Sequence, residues 1–174
     1  QAALAQSRQL GHQQLAGNLY AFLTAFAAAR NLGAVLWSVD VYFTEDTVLA
    51  PDIVFVRAGR EAIIEEKFVR GAPDLVIEIT SPTTELRDRG IKMQAYARHG
   101  VPEYWLFNAT ARTADVYLLR NAVYEPIAHY GHNDVLRSEV LAGLEIPLSS
   151  VWPRPTGKRS GTRSDPGQGL NSDA

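Results

Sequence analysis

Two short apolar segments, each carrying an acidic residue, constrain the fold of this chain more than any other feature. The first begins at Asp52 and continues Ile-Val-Phe-Val, and the second, residues 74–80, is Asp-Leu-Val-Ile-Glu-Ile-Thr. Both are rich in residues that favour strands, and the second is apolar enough to be covered on both faces of a sheet. Glu78 lies inside that second segment, where an ionised carboxylate is costly to bury without a cationic partner or a metal. The two segments therefore predict a buried sheet that carries a charged site.

The acids of the two segments meet if the strands are antiparallel neighbours. The start of the first strand then lies beside the end of the second, so Asp52 approaches Glu78 and the two carboxylates could share one divalent ion. Hard oxygen ligands favour Mg²⁺ or Mn²⁺ over zinc. Asp74 stands ~13 Å from Glu78 along a strand. We therefore keep Asp74 only as a supporting residue, whose ordinary role is capping or pairing at the strand start.

The segment after the second strand supplies a candidate cation. Residues 81–84, Ser-Pro-Thr-Thr, break the strand, and one of their hydroxyls is expected to cap a helix over residues 85–99. Asp88, Lys92 and Tyr96 are spaced four residues apart and share a face of that helix. The ordinary role of Lys92 is a surface ion pair with Asp88. The alternative is that the helix points Lys92 at the two acids, where an ammonium could orient a water or stabilise a developing negative charge.

The first helix leaves a second alternative open. Apolar residues recur at steps of three and four between residues 7 and 30, which predicts a helix with one buried face. His12, Gln13 and Gln14 lie in its first turns. They are expected to belong to a solvated helix start, and the alternative is that one of them leans over the site built by the strands.

The remaining sequence predicts one domain over residues 1–152, followed by a disordered tail over 153–174 that is rich in Pro, Gly, Ser and Arg. A loop or weak strand pair is expected over residues 57–73. Alternating or continuous apolar runs predict further strands at 35–44, 103–107, 114–119, 124–130 and 141–148.

Composition narrows the classes of function. The chain has 174 residues, a net charge of -2 and no cysteine, so disulfides, thiolate metal sites and cysteine nucleophiles are excluded. No apolar run reaches the ~18 residues that a membrane span needs, and a cytoplasmic protein is expected. No overall basic field indicates a nucleic-acid partner, although a local patch stays possible. The three tryptophans (Trp37, Trp105 and Trp152) are expected to pack in the core rather than to stack on bases.

Taken together, these segments resemble the Uma-type family of restriction endonucleases, which belongs to the PD-(D/E)XK nuclease-like superfamily. The resemblance spans roughly residues 10–152. The residues that carry it are Pro51-Asp52-Ile53-Val54-Phe55-Val56, Ala72-Pro73-Asp74-Leu75-Val76-Ile77-Glu78-Ile79-Thr80-Ser81-Pro82-Thr83, Asp88, Lys92, Tyr96, Gly100-Val101-Pro102-Glu103-Tyr104-Trp105 and Gly143-Leu144.

The resemblance implies an α/β (α+β) restriction-endonuclease-like fold of three layers, with a mixed central sheet flanked by helices. It also implies Mg²⁺-dependent or Mn²⁺-dependent hydrolysis of DNA phosphodiester bonds. The first acid of the superfamily falls on Asp52 and the second on Glu78. The superfamily lysine should follow two residues later, where this chain has Thr80, and Lys92 is the candidate to replace it. Tyr96 is a supporting residue, and Glu103 a supporting or structural one.

Two functions are therefore weighed. The first is a Mg²⁺-dependent endonuclease that acts on DNA through Asp52, Glu78 and Lys92, and that forms a homodimer if it cuts both strands. The second is a nucleic-acid-binding or scaffold protein on a nuclease-like fold without catalysis. The mildly acidic chain and Thr80 in the lysine position motivate this alternative, because fold alone does not decide function.

Overall fold

A six-stranded mixed sheet forms the centre of the protein. The structure, a computed structural model, describes residues 2–80 and 88–154, without the side chains of residues 2–9, 88 and 89. The strand order is β1-β4-β6-β7-β8-β9, and every neighbouring pair is antiparallel except β6 and β7, which are parallel. The strands are β1 (Gly33–Trp37), β4 (Ile53–Arg57), β6 (Leu75–Thr80), β7 (Glu103–Asn108), β8 (Thr113–Arg120) and β9 (Val123–Tyr130).

Two helices, a small sheet and a hairpin surround this central sheet. Helix α1 (Ala2–Ala29) precedes it, and a π-helical turn (Asp88–Lys92) leads into helix α2 (Met93–Arg98). A three-stranded sheet of order β3-β2-β5 and a β10-β11 hairpin complete the described fold. Their strands are β2 (Asp40–Tyr42), β3 (Val48–Leu49), β5 (Phe68–Arg70), β10 (Val135–Arg137) and β11 (Glu145–Pro147).

Two hydrophobic clusters lie on opposite faces of the central sheet. Because strand side chains alternate between faces, Ile53 and Ile77 belong to one cluster, and Val54 and Val76 belong to the other. On the first face α1 buries the apolar stripe that its spacing predicts. On the second face Tyr96 of α2 packs together with residues of the three-stranded sheet. Leu15, Leu19, Leu23 and Ala27 form the buried stripe of α1.

The architecture confirms the predicted α+β fold with a mixed central sheet, and it refines the flanking layers. Helix α2 shares the second face with the three-stranded sheet, which the sequence did not predict. The single strand expected over residues 35–44 is wrong, because Ser38 adopts a φ of 52° and divides it into β1 and β2. The two halves then join different sheets, which explains how an apparently continuous alternation produces two elements.

Other boundaries differ by less. Residues 57–73 contain a short 3-10 turn (Glu61–Ile63) and β5, so the weak-strand interpretation holds for part of that range. The last expected strand, 141–148, is shorter and pairs with β10, which was not predicted. Residues 81–84, the predicted start of the helix at 85 and the tail from 155 onward lie outside the described residues. Within the described chain, no helix combines the length and the apolar character that crossing a bilayer requires.

Candidate active site

The pairing of β4 with β6 brings the two predicted acids together. Ile53 pairs with Ile77 in the antiparallel ladder. Asp52 lies one residue before that pair and Glu78 one residue after it, so the same register sets the two acids opposite each other. Directly opposed residues of an antiparallel pair have their Cα atoms about 4.5–5.5 Å apart and point to the same side. The predicted neighbourhood of Asp52 and Glu78 is therefore present at this end of the sheet.

Glu78 is buried and is held by two side chains of the segment that follows β6. Its side chain is 3% exposed, and Lys92 Nζ donates to both of its carboxylate oxygens at 3.0 Å. The hydroxyl of Tyr96 donates to Glu78 Oε1 at 2.6 Å. The helix thus does turn Lys92 toward the acids, as the alternative interpretation required. The competing ion pair with Asp88 involves a side chain outside the described residues.

Lys92 occupies the last position of the π-helical turn, immediately before α2 begins. π-Helical turns are rare, and they occur frequently at functional sites. Here the turn and α2 together place Lys92 and Tyr96, four residues apart, on the same carboxylate. The Lys92 side chain keeps 16% of its surface exposed, whereas the Glu78 side chain keeps 3%.

Asp52 is anchored by the neighbouring strand and by α1. The backbone N–H of Ile79 donates to Asp52 Oδ2 at 2.7 Å, and His12 Nε2 lies 3.2 Å from Asp52 Oδ1. His12 is therefore the residue of the helix start that leans over the site, and the predicted site residues do not include it. The signal that identifies it is its position on α1, since it precedes Leu15 and Ala16 by three and four residues and so lies on the buried stripe.

The electrostatics of the site depend on the closeness of Asp52 and Glu78. Burial, reinforced by the negative charge of Asp52, raises the pKa of Glu78 to about 7, while Lys92 and the Tyr96 hydroxyl act in the opposite direction. The hydrogen bond to Asp52 is the largest cause of a raised pKa at His12, opposed by partial burial. Glu78 therefore retains its proton to a higher pH than an isolated glutamate does, because burial and a nearby like charge both disfavour its ionised form.

The remaining predicted residues lie apart from this cluster. Asp74 is 4% exposed; its Oδ2 accepts from the backbone N–H of Arg57 at 2.8 Å and lies 2.7 Å from a guanidinium nitrogen of Arg60. These contacts give Asp74 the pairing role at the strand start and do not bring it to Glu78. Thr80, in the usual lysine position, is buried and donates its hydroxyl to the carbonyl of Phe107 at 3.2 Å.

The donor set suits a small hard cation that keeps part of its hydration shell. Among the described residues, no group of three or more His, Asp or Glu side chains is arranged to hold a metal by itself. Mg²⁺ is commonly held by one or two carboxylates, with waters and substrate phosphates completing its shell. Asp52 and Glu78 supply two such carboxylates, and each has lone pairs beyond those used in the contacts above. The residues present therefore fit Mg²⁺ or Mn²⁺ better than a metal that needs a closed protein cage.

Comparisons with known proteins identify the family and the fold. The model of the Uma2 family, described as "Putative restriction endonuclease", matches residues 5–149. A solved structure described as a putative nuclease belonging to DUF820 from Anabaena variabilis has a TM-score of 0.66 with 18% sequence identity, and the match covers 81% of this chain and 79% of that one. At this identity the structural likeness establishes the fold. Among curated proteins, none matches the chain.

Proposed function

Because the chain belongs to the Uma2 family of putative restriction endonucleases, we propose that it is an endonuclease that hydrolyses DNA phosphodiester bonds with Mg²⁺ or Mn²⁺. The observation that carries this proposal is the Asp52–Glu78 pair at the end of β4 and β6, with Lys92 held against it. Two acids and a lysine are the residue types that the resemblance assigns to the reaction. Their convergence from three separate elements supports a catalytic site over a chance ion pair.

Asp52 and Glu78 would hold the metal ion. When bound, the ion would polarise a phosphoryl oxygen and lower the pKa of a coordinated water. The protein's own contribution is to keep both carboxylates in place before substrate arrives. The Ile79 amide fixes one oxygen of Asp52, and Tyr96 fixes one oxygen of Glu78, so neither acid must be ordered during the reaction.

Lys92 replaces the lysine that the superfamily pattern places two residues after the second acid. Thr80 occupies that position, but its side chain is short, buried and committed to Phe107. The ammonium of Lys92 instead reaches the carboxylate of the second acid, Glu78, from the π-helical turn. From there it can orient the attacking water and stabilise the negative charge that develops on the phosphoryl oxygens.

His12 adds a proton-bearing group beside Asp52 Oδ1, the oxygen that the Ile79 amide does not bond. Its side chain is 35% exposed, so the ring can meet both the Asp52 carboxylate and a substrate in solvent. The contact with Asp52 raises the pKa of His12, so the imidazole keeps its proton to a higher pH than a free histidine does. A protonated His12 can therefore donate a hydrogen bond to the phosphate or a proton to the leaving oxygen.

Plasmid nicking in the presence of Mg²⁺ or Mn²⁺ tests this proposal. We expect cleavage by the wild-type chain, none with a chelator, a loss of more than about 1000-fold in Asp52→Asn, and a loss of about 100-fold or more in Lys92→Ala. Asp46→Asn and Lys67→Ala change exposed residues outside the site and serve as matched controls. If Asp52→Asn cuts as fast as Asp46→Asn, the assignment of the metal site is wrong.

A non-catalytic binding protein is the second candidate, and one observation favours it. Lys92 contacts both oxygens of Glu78, so the acid has an internal cation. A folded wild-type chain that binds DNA or RNA but cuts neither with Mg²⁺ or Mn²⁺ would establish this alternative. Dimerisation remains an expectation, and sedimentation across a range of protein concentrations measures it.

A further inference from the structure

An exposed aromatic surface adjoins the candidate active site. Trp37 is 51% exposed, whereas Trp105 and Trp152 are 0% and 4% exposed. The prediction that all three tryptophans pack in the core therefore holds for Trp105 and Trp152, and it is wrong for Trp37. A half-exposed tryptophan is unusual enough to need a reason, because its large apolar surface gains free energy when it leaves water.

The sheet register fixes where this tryptophan lies. Trp37 is the last residue of the edge strand β1 and pairs with Ile53, the residue directly after Asp52. The next residue, Ser38, donates its backbone N–H to the carbonyl of Asp52 at 2.9 Å. Trp37 is thus adjacent along β1 to the residue that bonds to the backbone of Asp52. Its side chain leaves the sheet on the α1 face, the face of Ile53, from which His12 also reaches Asp52.

The ring of Trp37 has a firm support on one side. Its centroid lies 5.8 Å from that of Tyr20, with the two planes inclined by 38°. Tyr20 belongs to α1, the same helix that carries His12 to Asp52. The indole is therefore fixed between a strand end and a helix, and it offers surface to solvent without the ordering entropy that a mobile side chain would lose.

From these contacts we infer that Trp37, supported by Tyr20, stacks on an unpaired nucleobase of the nucleic acid whose phosphate occupies the site at Asp52 and Glu78. The inference rests on the function proposed above, and it narrows the substrate class to single-stranded or locally unpaired DNA. In a continuous duplex each base is covered by its neighbours, so its face becomes available only where the strand is unpaired, flipped or ended.

A base suits this surface better than a protein partner does. Trp37 is the one exposed large apolar side chain on β1; the neighbouring Ser38 is exposed but small, and Val39 is half-buried against the second hydrophobic cluster. Protein interfaces have a core of several buried apolar residues, whereas a single planar ring matches a single planar ligand. The position beside the acids also agrees with a nucleotide that neighbours the phosphate to be cut.

Tryptophan fluorescence can report this contact selectively, since the other two indoles are buried. We would titrate the full-length protein, in the presence of chelator, with a single-stranded thymidine oligonucleotide and with a long duplex. Stacking is expected to quench the emission of the wild-type chain with the single strand. Trp37→Phe should keep most of the affinity and lose the quenching, because a phenyl ring still stacks while the reporting indole is gone.

Affinity gives the second readout. Trp37→Ala should weaken single-strand binding by about 5- to 150-fold, the range that base–aromatic stacking supports, and leave duplex affinity within about twofold. Ile127→Ala, an exposed apolar residue on β9 at the other edge of the central sheet, is the control and should change neither affinity. Both affinities are measured by fluorescence anisotropy of labelled DNA.

Three results would overturn the inference. Single-stranded DNA could bind without quenching, Trp37→Ala could weaken single-strand and duplex binding equally, or Trp37→Ala could lower the sedimentation coefficient and so assign the ring to contacts between two copies of the chain. The inference and the proposed function fail separately. Metal-dependent nicking without quenching contradicts only the stacking role, and quenching without nicking contradicts only the catalysis.

Discussion

Glu78 and Glu103 are buried glutamates on neighbouring parallel strands, at opposite ends of the ladder that joins them. Glu78 pairs with Leu106 near the end of β6, and Glu103 pairs with Leu75 at the start of β7. Glu78 is 2% exposed and Glu103 is 0% exposed, and burial raises the pKa of both carboxyl groups. Burial alone therefore does not distinguish an acid that builds the fold from one that does chemistry.

Their hydrogen-bond partners do distinguish them. Glu103 accepts from the indole N–H of Trp105 at 2.6 Å and from the backbone N–H groups of Glu139 and Val140 at 3.1 and 2.8 Å. These donors are neutral and fixed, and they tie the segment before β11 to the central sheet. Glu78 instead meets a cation and a tyrosine on one side and the like charge of Asp52 on the other.

The difference teaches how to assign roles to buried acids. Neutral donors that converge on a carboxylate satisfy it without any further ligand, so Glu103 acts in the architecture. An acid that faces another acid is left in an arrangement that an added cation would improve. Strongly perturbed groups of this kind cluster at functional sites.

The largest expected difference between Glu78 and Glu103 is in their effect on activity. If Glu78 holds the metal as proposed, Glu78→Gln should lower metal-dependent cleavage by more than about 1000-fold, because the substitution removes the negative charge while keeping the shape of the side chain. Glu103→Gln should retain nearly all cleavage per folded molecule. Plasmid nicking at matched concentrations of folded protein measures both. Equal losses in the two variants would contradict the division of roles.

The opposite pattern is expected in stability. Glu103→Ala leaves the Trp105 indole and two backbone amides without their acceptor, and each buried unsatisfied donor costs about 1–3 kcal/mol. A loss of about 3 kcal/mol should lower Tm by roughly 6–12 °C in a chain of this size. Calorimetry measures the shift, and Glu66→Ala, at an exposed position, should leave Tm nearly unchanged. A Glu103→Ala variant as stable as that control would remove the structural role.

A pH series tests the ionisation of Glu78 directly. The pKa of Glu78 rises from 4.5 to about 7 on folding, so the folded state holds this proton more tightly than the unfolded state does. Its contribution therefore favours folding at low pH and is lost as the pH rises from about 4.5 to about 7. In chelator, the free energy of unfolding of the wild type should fall by about 1–3 kcal/mol relative to Glu78→Gln between pH 5 and pH 8.

Metal supplies the control for that series. At pH 8, Mg²⁺ should recover part of the lost free energy of unfolding in the wild type and have no such effect in Glu78→Gln, because only the wild type keeps both carboxylates. Urea denaturation at each pH, with and without Mg²⁺, measures both effects. Parallel pH curves for the two proteins would show that the Glu78 proton is not linked to folding.

The contrast between Glu78 and Glu103 also shows which parts of the site could be predicted from the sequence. The approach of Asp52 to Glu78 follows once the two apolar runs are taken to be antiparallel neighbours, and β4 and β6 do pair in that way. Both strands are buried on both faces, so their apolar patterns alone do not specify the register. The role of Glu103 could not be derived in this way. Its donors come from Glu139 and Val140, which are far away in sequence and contribute only backbone N–H groups.

Two differences between the structure and the sequence prediction have similar physical causes. The division of residues 35–44 depends on the positive φ of Ser38, which no hydrophobic pattern encodes. The exposure of Trp37 results from its position at the end of an edge strand, and strand order is not visible in the local sequence. His12 is different, because its spacing to the buried residues Leu15 and Ala16 does indicate that it faces the sheet and is not part of a solvated helix start.

The smallest expected effect concerns the hydroxyl group of Tyr96. Tyr96→Phe keeps the buried ring in place and removes the 2.6 Å hydrogen bond to Glu78 Oε1. Since that bond lowers the pKa of Glu78, its loss should raise the pKa further and reduce the ionised fraction near neutral pH. Cleavage should then fall by up to about tenfold at pH 7 and recover at higher pH.

The matched control is Tyr124→Phe, which also removes a buried hydroxyl. Its hydrogen bond runs to the carbonyl of Val101 at 2.8 Å and does not involve Glu78. Rates of cleavage measured across pH should therefore shift to higher pH in Tyr96→Phe alone. If both variants lose activity equally and with unshifted profiles, Tyr96 only packs the second face of the sheet. The ionisation of Glu78 would then depend on Lys92 and Asp52 and not on the Tyr96 hydroxyl.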